Sequence, residues 1–182
     1  SGAAVDNDGA LTVTAAGGQA TISDNGTSHS DYDASALAYA HGIQTVGDVD
    51  NTGALTVTAA GGTATAEAGV NSAEVEAYGI ASQGQISNTG AITFTGTAGQ
   101  ATVDSSSSVT GSAAYAHAIV YGISSVGDVS NEGAIAVDAT GGTAASSFNS
   151  DAAAVALGIT SDGQIANTGA ITLAATGGAA DA

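Results

Sequence analysis

The chain copies itself. The stretch GDVDNTGALTVTAAGG (residues 47–62) returns as GQISNTGAITFTGTAG (84–99), GDVSNEGAIAVDATGG (127–142) and GQIANTGAITLAATGG (163–178), with a shorter VDNDGALTVTAAGG at 5–18. Taking the asparagine of each N-x-G-A-[IL] as a ruler, Asn7, Asn51, Asn88, Asn131 and Asn167 lie 44, 37, 43 and 36 residues apart. Gly42, Gly79, Gly122 and Gly158, in HGI, YGI, YGI and LGI, precede the last four asparagines at a constant distance. Gly18, Gly62, Gly99, Gly142 and Gly178 follow all five at another. Length varies only between the closing glycine and the next GI, long and short in alternation. Segments of fixed length must stack in register, whereas segments of variable length are free to bulge.

Within the fixed segment, ALTVTA and AITFTG alternate with period two, so Leu55, Val57 and Ala59 share one face and Thr56 and Thr58 the other. That is the pattern of a strand with one buried side. NTG, NEG and NDG, then AGG, TGG and TAG, are turn signals, because Gly and Asn accept positive φ at low cost. ALAYAHGI, AEVEAYGI and TATAEA supply further short strands, and no stretch carries a helical period with caps. The expected fold is all-β: a parallel β-solenoid (β-helix) of four to five imperfect repeats of about 36–44 residues, with coils hydrogen-bonded at about 4.8 Å. It would occupy residues 1–182 as a single repeat domain without separate caps. Counting leaves open whether one repeat makes one large coil or two smaller ones.

Composition suits such a narrow tube. The 182 residues include two Phe, five Tyr and no Trp, too few large side chains for a thick globular core. Seventeen acidic residues face no Lys or Arg, for a net charge of −17. Nucleic-acid binding depends on neutralising phosphates with Lys and Arg, and anionic membrane surfaces select for the same residues, so neither partner is expected. No apolar run approaches the roughly 20 residues that span a bilayer, and no basic leader opens the sequence. Without Cys there are no disulfides or thiolate metal sites.

Two columns follow from stacking. Three residues before each ruler asparagine stand Asp48, Gln85, Asp128 and Gln164. Carboxylates repeated at about 4.8 Å would repel, and interleaved amides relieve that. The asparagine itself never varies, so Asn7, Asn51, Asn88, Asn131 and Asn167 form a candidate side-chain amide ladder. The alternative is that each one only sets its own turn.

The pattern GI…G-x-[VI]-x-N-x-G-A-[IL]-x-[VFL], clearest in YGIASQGQISNTGAITFTG at 78–96, resembles the repeat regions of secreted bacterial β-solenoid surface proteins such as autotransporter passengers and filamentous-haemagglutinin-like adhesins. The resemblance covers nearly the whole chain and concerns architecture. It implies an extracellular, cell-surface location and a scaffold with no catalytic residues to carry over.

Candidate chemistry is sparse. Ser, His and Asp are present, but no G-x-S-x-G elbow marks a nucleophile, and the glycine corners lack the lysine of a phosphate loop. The chain is therefore read as no enzyme and as needing no cofactor. Calcium is the one metal with candidate ligands, the i, i+2 carboxylates Asp6 and Asp8, and Asp48 and Asp50. Solvated acids on a wet face account for the same spacing. Ranks of Thr-x-Thr suggest an ice-binding face but lapse in the last two repeats. The long variable segments, 19–41 and 100–121, carry His29, Tyr32, Tyr39, Tyr115 and His117, a candidate lateral contact surface for a glycan or neighbouring filament.

The leading expectation is a structural protein of an extracellular filament or adhesin rod, continuing or polymerising head to tail with copies of itself. A calcium-dependent carbohydrate- or cell-surface-binding module comes next, and a carbohydrate-active enzyme third.

Overall fold

The computed structural model describes residues 3–22, 33–67, 69–103 and 112–181. The first coil comprises β1 (Val5–Asn7), β2 (Leu11–Ala16) and β3 (Gln19–Ile22), and the second β4 (Ser35–Thr45), β5 (Val49–Asn51), β6 (Leu55–Ala60) and β7 (Thr63–Ala66). The third holds β8 (Val70–Ser82), β9 (Ile86–Asn88), β10 (Ile92–Thr97) and β11 (Gln100–Val103). In the fourth, β12 (Ala113–Tyr115) and β13 (Ala118–Ser125) precede β14 (Val129–Asn131), β15 (Ile135–Thr140) and β16 (Thr143–Ala145). The fifth repeats that plan with β17 (Asn149–Asp151), β18 (Ala154–Ser161), β19 (Ile165–Asn167), β20 (Ile171–Thr176) and β21 (Ala179–Asp181).

Equivalent strands of successive coils pair in parallel. Sheet A runs β1-β5-β9-β14-β19, sheet B β2-β6-β10-β15-β20 and sheet C β3-β7-β11-β16-β21. In sheet D, β4 pairs with β8, β8 with β12 and β13, and those with β17 and β18. The protein is a parallel β-solenoid, and no helix occurs among the described residues. One repeat makes one coil, because Asn7, Asn51, Asn88, Asn131 and Asn167 are direct register partners.

Sheets B and D face each other across the core. Small side chains fill it because the tube is narrow: Ala38, Ala40, Ala73, Ala77, Ala116 and Ala118 are buried along sheet D. Bulk is exchanged between coils to keep the interior close-packed. Phe94 is fully buried opposite Gly79, where a Cβ would overlap its ring. Gly96 replaces the alanine of the other coils opposite Val120, which itself stands in register with Ala77.

The corners correct the sequence reading. Gly69, with φ 93°, is the only residue at positive φ among those described, so the recurring glycines are not there for left-handed backbone. Their reason is axial crowding. A Cβ on Gly53, Gly90, Gly133 or Gly169 would meet the carbonyl oxygen of the equivalent glycine one coil earlier, and the same holds for Gly62, Gly99, Gly142 and Gly178. Within residues 19–41 and 100–121, read from the sequence as outward bulges, 19–22, 35–41, 100–103, 113–115 and 118–121 are strand in sheets C and D. Residues 23–32 and 104–111 lie outside the described residues.

Crowding of this kind demands glycine along these two columns but not at Gly9 or Gly18. Nothing lies within 4 Å of a Cβ built on Gly9. Gly90→Ala is therefore expected to lower stability by several kcal/mol, beyond the roughly 1–3 kcal/mol of ordinary overpacking because the obstacle is backbone. Gly9→Ala should leave the free energy of urea unfolding within about 0.5 kcal/mol of the parent. Equal effects would remove the axial explanation.

Candidate functional site

Three polar columns run along the rod axis. In the first, Nδ2 of Asn7, Asn51, Asn88 and Asn131 donates to Oδ1 of the next asparagine at 2.6, 2.5, 2.6 and 2.6 Å. From Asn51 onward, Nδ2 also donates to the glycine carbonyl two residues on, at Gly53, Gly90, Gly133 and Gly169. One amide thus bonds to its neighbour and closes its own turn. Asn51 and Asn88 are completely buried, so these bonds satisfy groups that would otherwise be costly to hold out of water. All amides point the same way, and such chains polarise one another.

The second column was not foreseen. Thr45, Ser82, Ser125 and Ser161 occupy the D-to-A corner, and their hydroxyls accept from the N–H of Gly47, Gly84, Gly127 and Gly163. Ser82, Ser125 and Ser161 also donate to the carbonyls of Gly47, Gly84 and Gly127 in the preceding coil, at 2.5, 2.7 and 2.6 Å. Its signal was on the page as G-I-x-[ST]-x-G, present in all four copies. Asn71 had no such signal. It is fully buried, its Oδ1 accepting from the Ala34 N–H and its Nδ2 donating to the Thr102 carbonyl.

In the third, Asp48 and Asp128 accept through Oδ1 from the backbone N–H of Gln85 and Gln164, both at 2.8 Å. The aspartates thus cap the coil that follows, a role beyond relief of repulsion. Asp6, Asp48, Asp50 and Asp128 line a groove of about 450 Å³ on the outside of sheet A. Asp8 is exposed and is not part of that lining. Among the described residues no group of three or more His, Asp or Glu side chains is placed to hold a metal ion.

The lateral face is the outside of sheet D. His41, Tyr78 and Tyr121 are stacked in register, with ring centroids 5.0 and 4.5 Å apart and planes within 7° and 2° of parallel. Beside this stack, Tyr39, Glu74, Glu76, His117 and Ile119 surround a hollow of about 200 Å³. His117 Nε2 lies 3.1 Å from Asp151 Oδ2, without the alignment of a hydrogen bond. Tyr115 meets His117 edge-on at 5.6 Å. Tyr39, Tyr115 and His117 thus share one face, while His29 and Tyr32 lie outside the described residues. On sheet B, the threonine ranks Thr12, Thr56, Thr93 and Thr14, Thr58, Thr95 give way to Ala136 and Asp138.

Compared with family models, with curated proteins and with solved structures, the chain matches none.

The amide column makes a positional prediction. Asn88→Ala strips partners from Asn51 and Asn131 inside the stack and should cost at least about 2 kcal/mol in urea unfolding, since each buried orphaned polar group costs about 1–3 kcal/mol. Asn7→Ala, at the outer end, should cost about half as much or less. Equal costs at the two positions would show that the column contributes nothing beyond each local turn.

Tyr78 supplies a pH prediction. Burial, the charge of Glu76 and the neighbouring Tyr121 push its pKa from 10.0 up to about 12, and its hydroxyl donates to Glu76 Oε1 at 3.2 Å. The fold favours the neutral phenol, so this contribution is complete below the unfolded value of 10.0 and is lost as pH rises towards about 12. A tyrosinate absorbance titration should show a phase near pH 12 that Tyr78→Phe abolishes.

Proposed function

We propose that this chain is a rod segment of an extracellular, cell-surface filament or adhesin, lengthened by coils that β-stack on its open faces. One observation carries the reading. In the central column of sheet B, Val57, Phe94 and Val137 are 0–2% exposed, whereas Leu173 in the fifth coil is 50% exposed. Ile165 and Ile171 are open in the same way at 47% and 38%, against 2% and 1% for Ile86 and Ile92 two coils earlier. These are the core positions on which a further coil, of the same protein or of another copy, would stack.

Composition and the bacterial surface-protein resemblance support the location, and scaffold-only polar columns support a mechanical rather than catalytic role. The aromatic and acidic face of sheet D is the surface proposed to meet a glycan or a neighbouring filament. A net charge of −17 with no Lys or Arg opposes association of like rods, so screening salt should promote it.

Negative-stain images of the purified chain at rising salt should show rods whose length increases. Leu173→Asp, at an open position, should leave circular dichroism unchanged and shorten the rods, whereas Val137→Asp, one coil inward, should unfold the chain. Compact particles at every salt concentration would count against the rod.

A further inference from the structure

We infer that Tyr78 and Tyr121 form a built-in cross-linking site: under a peroxidase and hydrogen peroxide, their rings couple carbon to carbon and fasten the third coil to the fourth. The site lies within the chain and is independent of whatever covers its two open faces.

Composition leaves oxidation few places to go. The chain has no Cys, Met or Trp, the side chains that otherwise yield electrons alongside or ahead of tyrosine, so one-electron oxidation falls on its five tyrosines. Tyr39 stands in register with Glu76, and Tyr115 with Ser72 and Asp151. Tyr78 and Tyr121 stand in register with each other, between His41 and Leu157 of the adjoining coils. Among the described residues they are the one pair of phenols in ring contact, with centroids 4.5 Å apart and planes within 2° of parallel. Parallel pairing holds equivalent side chains on one face at a rise of about 4.8 Å, so one ring already lies over the other before any reaction.

Tyr78 also has a proton acceptor in place, its hydroxyl donating to Glu76 Oε1 at 3.2 Å. Burial and the charge of Glu76 raise its pKa to about 12, so no phenolate is ready for oxidation near neutral pH. A phenol that loses an electron becomes strongly acidic, and the carboxylate takes the proton as the electron leaves. Each phenol gives up one electron and one proton, that of Tyr78 through Glu76 and that of Tyr121 to water. Hydrogen peroxide takes the two electrons and two protons and becomes two waters. The two phenoxyl radicals join ortho carbon to ortho carbon, and the hydrogens on those carbons move to the oxygens and restore both phenols. The product is the chain less two hydrogen atoms. Bonding tilts the rings out of their stack, for which there is room because both are only half-buried on the outside of sheet D.

Coupling within the chain outruns coupling between chains. The two rings are held at an effective concentration far above that of any solution, and a net charge of −17 keeps separate chains apart at low salt.

Dilute full chain at low salt, treated with peroxidase and hydrogen peroxide, should stay monomeric, gain dityrosine fluorescence and lose the mass of two hydrogens. Cleavage after Asp and Glu releases Tyr78 in 77–104 and Tyr121 in 105–128, and these two peptides should be found joined. Tyr78→Phe and Tyr121→Phe keep a ring at each position, with folding checked by circular dichroism, and each should abolish the joined pair. Tyr39→Phe should not, nor should Tyr115→Phe, which leaves Tyr121 as the only tyrosine of 105–128. Glu76→Gln should slow the reaction severalfold; an unchanged rate overturns the role given to Glu76. The linked chain should unfold at higher urea than the parent, because the closed loop restricts the unfolded state, and a link without that gain overturns the fastening of the coils. A folded parent that forms no link within the chain, or joined peptides that survive Tyr78→Phe, overturns the site itself.

Discussion

The contact on which this architecture depends is backbone against backbone along the axis, at two corners of every coil. There the carbonyl of one glycine sits where the next coil's glycine would carry its Cβ. Parallel ladders set the rise per coil at about 4.8 Å, and at a sharp corner that rise leaves no room for a side chain between stacked peptide units. Glycine at these corners is thus a consequence of pitch, not of turn type. The constant spacing from asparagine to closing glycine follows as well, since one residue gained or lost would move a corner out of its column.

Close stacking creates a second demand, because corners interrupt the ladders and leave polar groups facing inward. Three side-chain types meet it. Asparagine is fully buried in the middle of the stack with both a donor and an acceptor in use, which suits an amide and excludes a carboxylate. The serine or threonine hydroxyl at the D-to-A corner accepts a hydrogen bond from an N–H of its own coil, and from Ser82 onward donates one to a carbonyl of the coil before. Aspartate caps a backbone N–H at the rim, where its charge stays in water. Main-chain and side-chain bonding along the axis thereby replaces much of what a thick apolar interior would supply, and the alanine-rich core needs only to exclude water.

Charge then shapes what the rod can do. Every ionised side chain other than histidine is acidic, so like surfaces repel and no internal Lys or Arg pair competes for the carboxylates. The outer face of sheet D departs from this monotony. It gathers two histidines, four tyrosines and three carboxylates into one surface, with the Tyr78 phenol held neutral by burial and by Glu76. An aromatic, hydrogen-bonding face on an otherwise acidic rod is where a partner would gain most from contact.

Legibility divided along physical lines. Period, strand alternation and the invariant Asn were enough to specify a parallel solenoid and to single out the amide column, because stacking identical segments leaves a one-dimensional record in the chain. The Ser/Thr corner was equally legible in G-I-x-[ST]-x-G but passed unremarked among many serines. Other features were decided only in three dimensions. The number of coils per repeat depends on which strands pair, and Asn71 has no periodic counterpart to announce it. The complementary bulk of Phe94 with Gly79, and of Val120 with Gly96, joins residues on opposite sheets whose closeness no linear spacing reveals. The sequence by itself determined what repeats and therefore what stacks; the tertiary structure decided what faces what, because contacts across the core and between corners depend on the path of the whole coil.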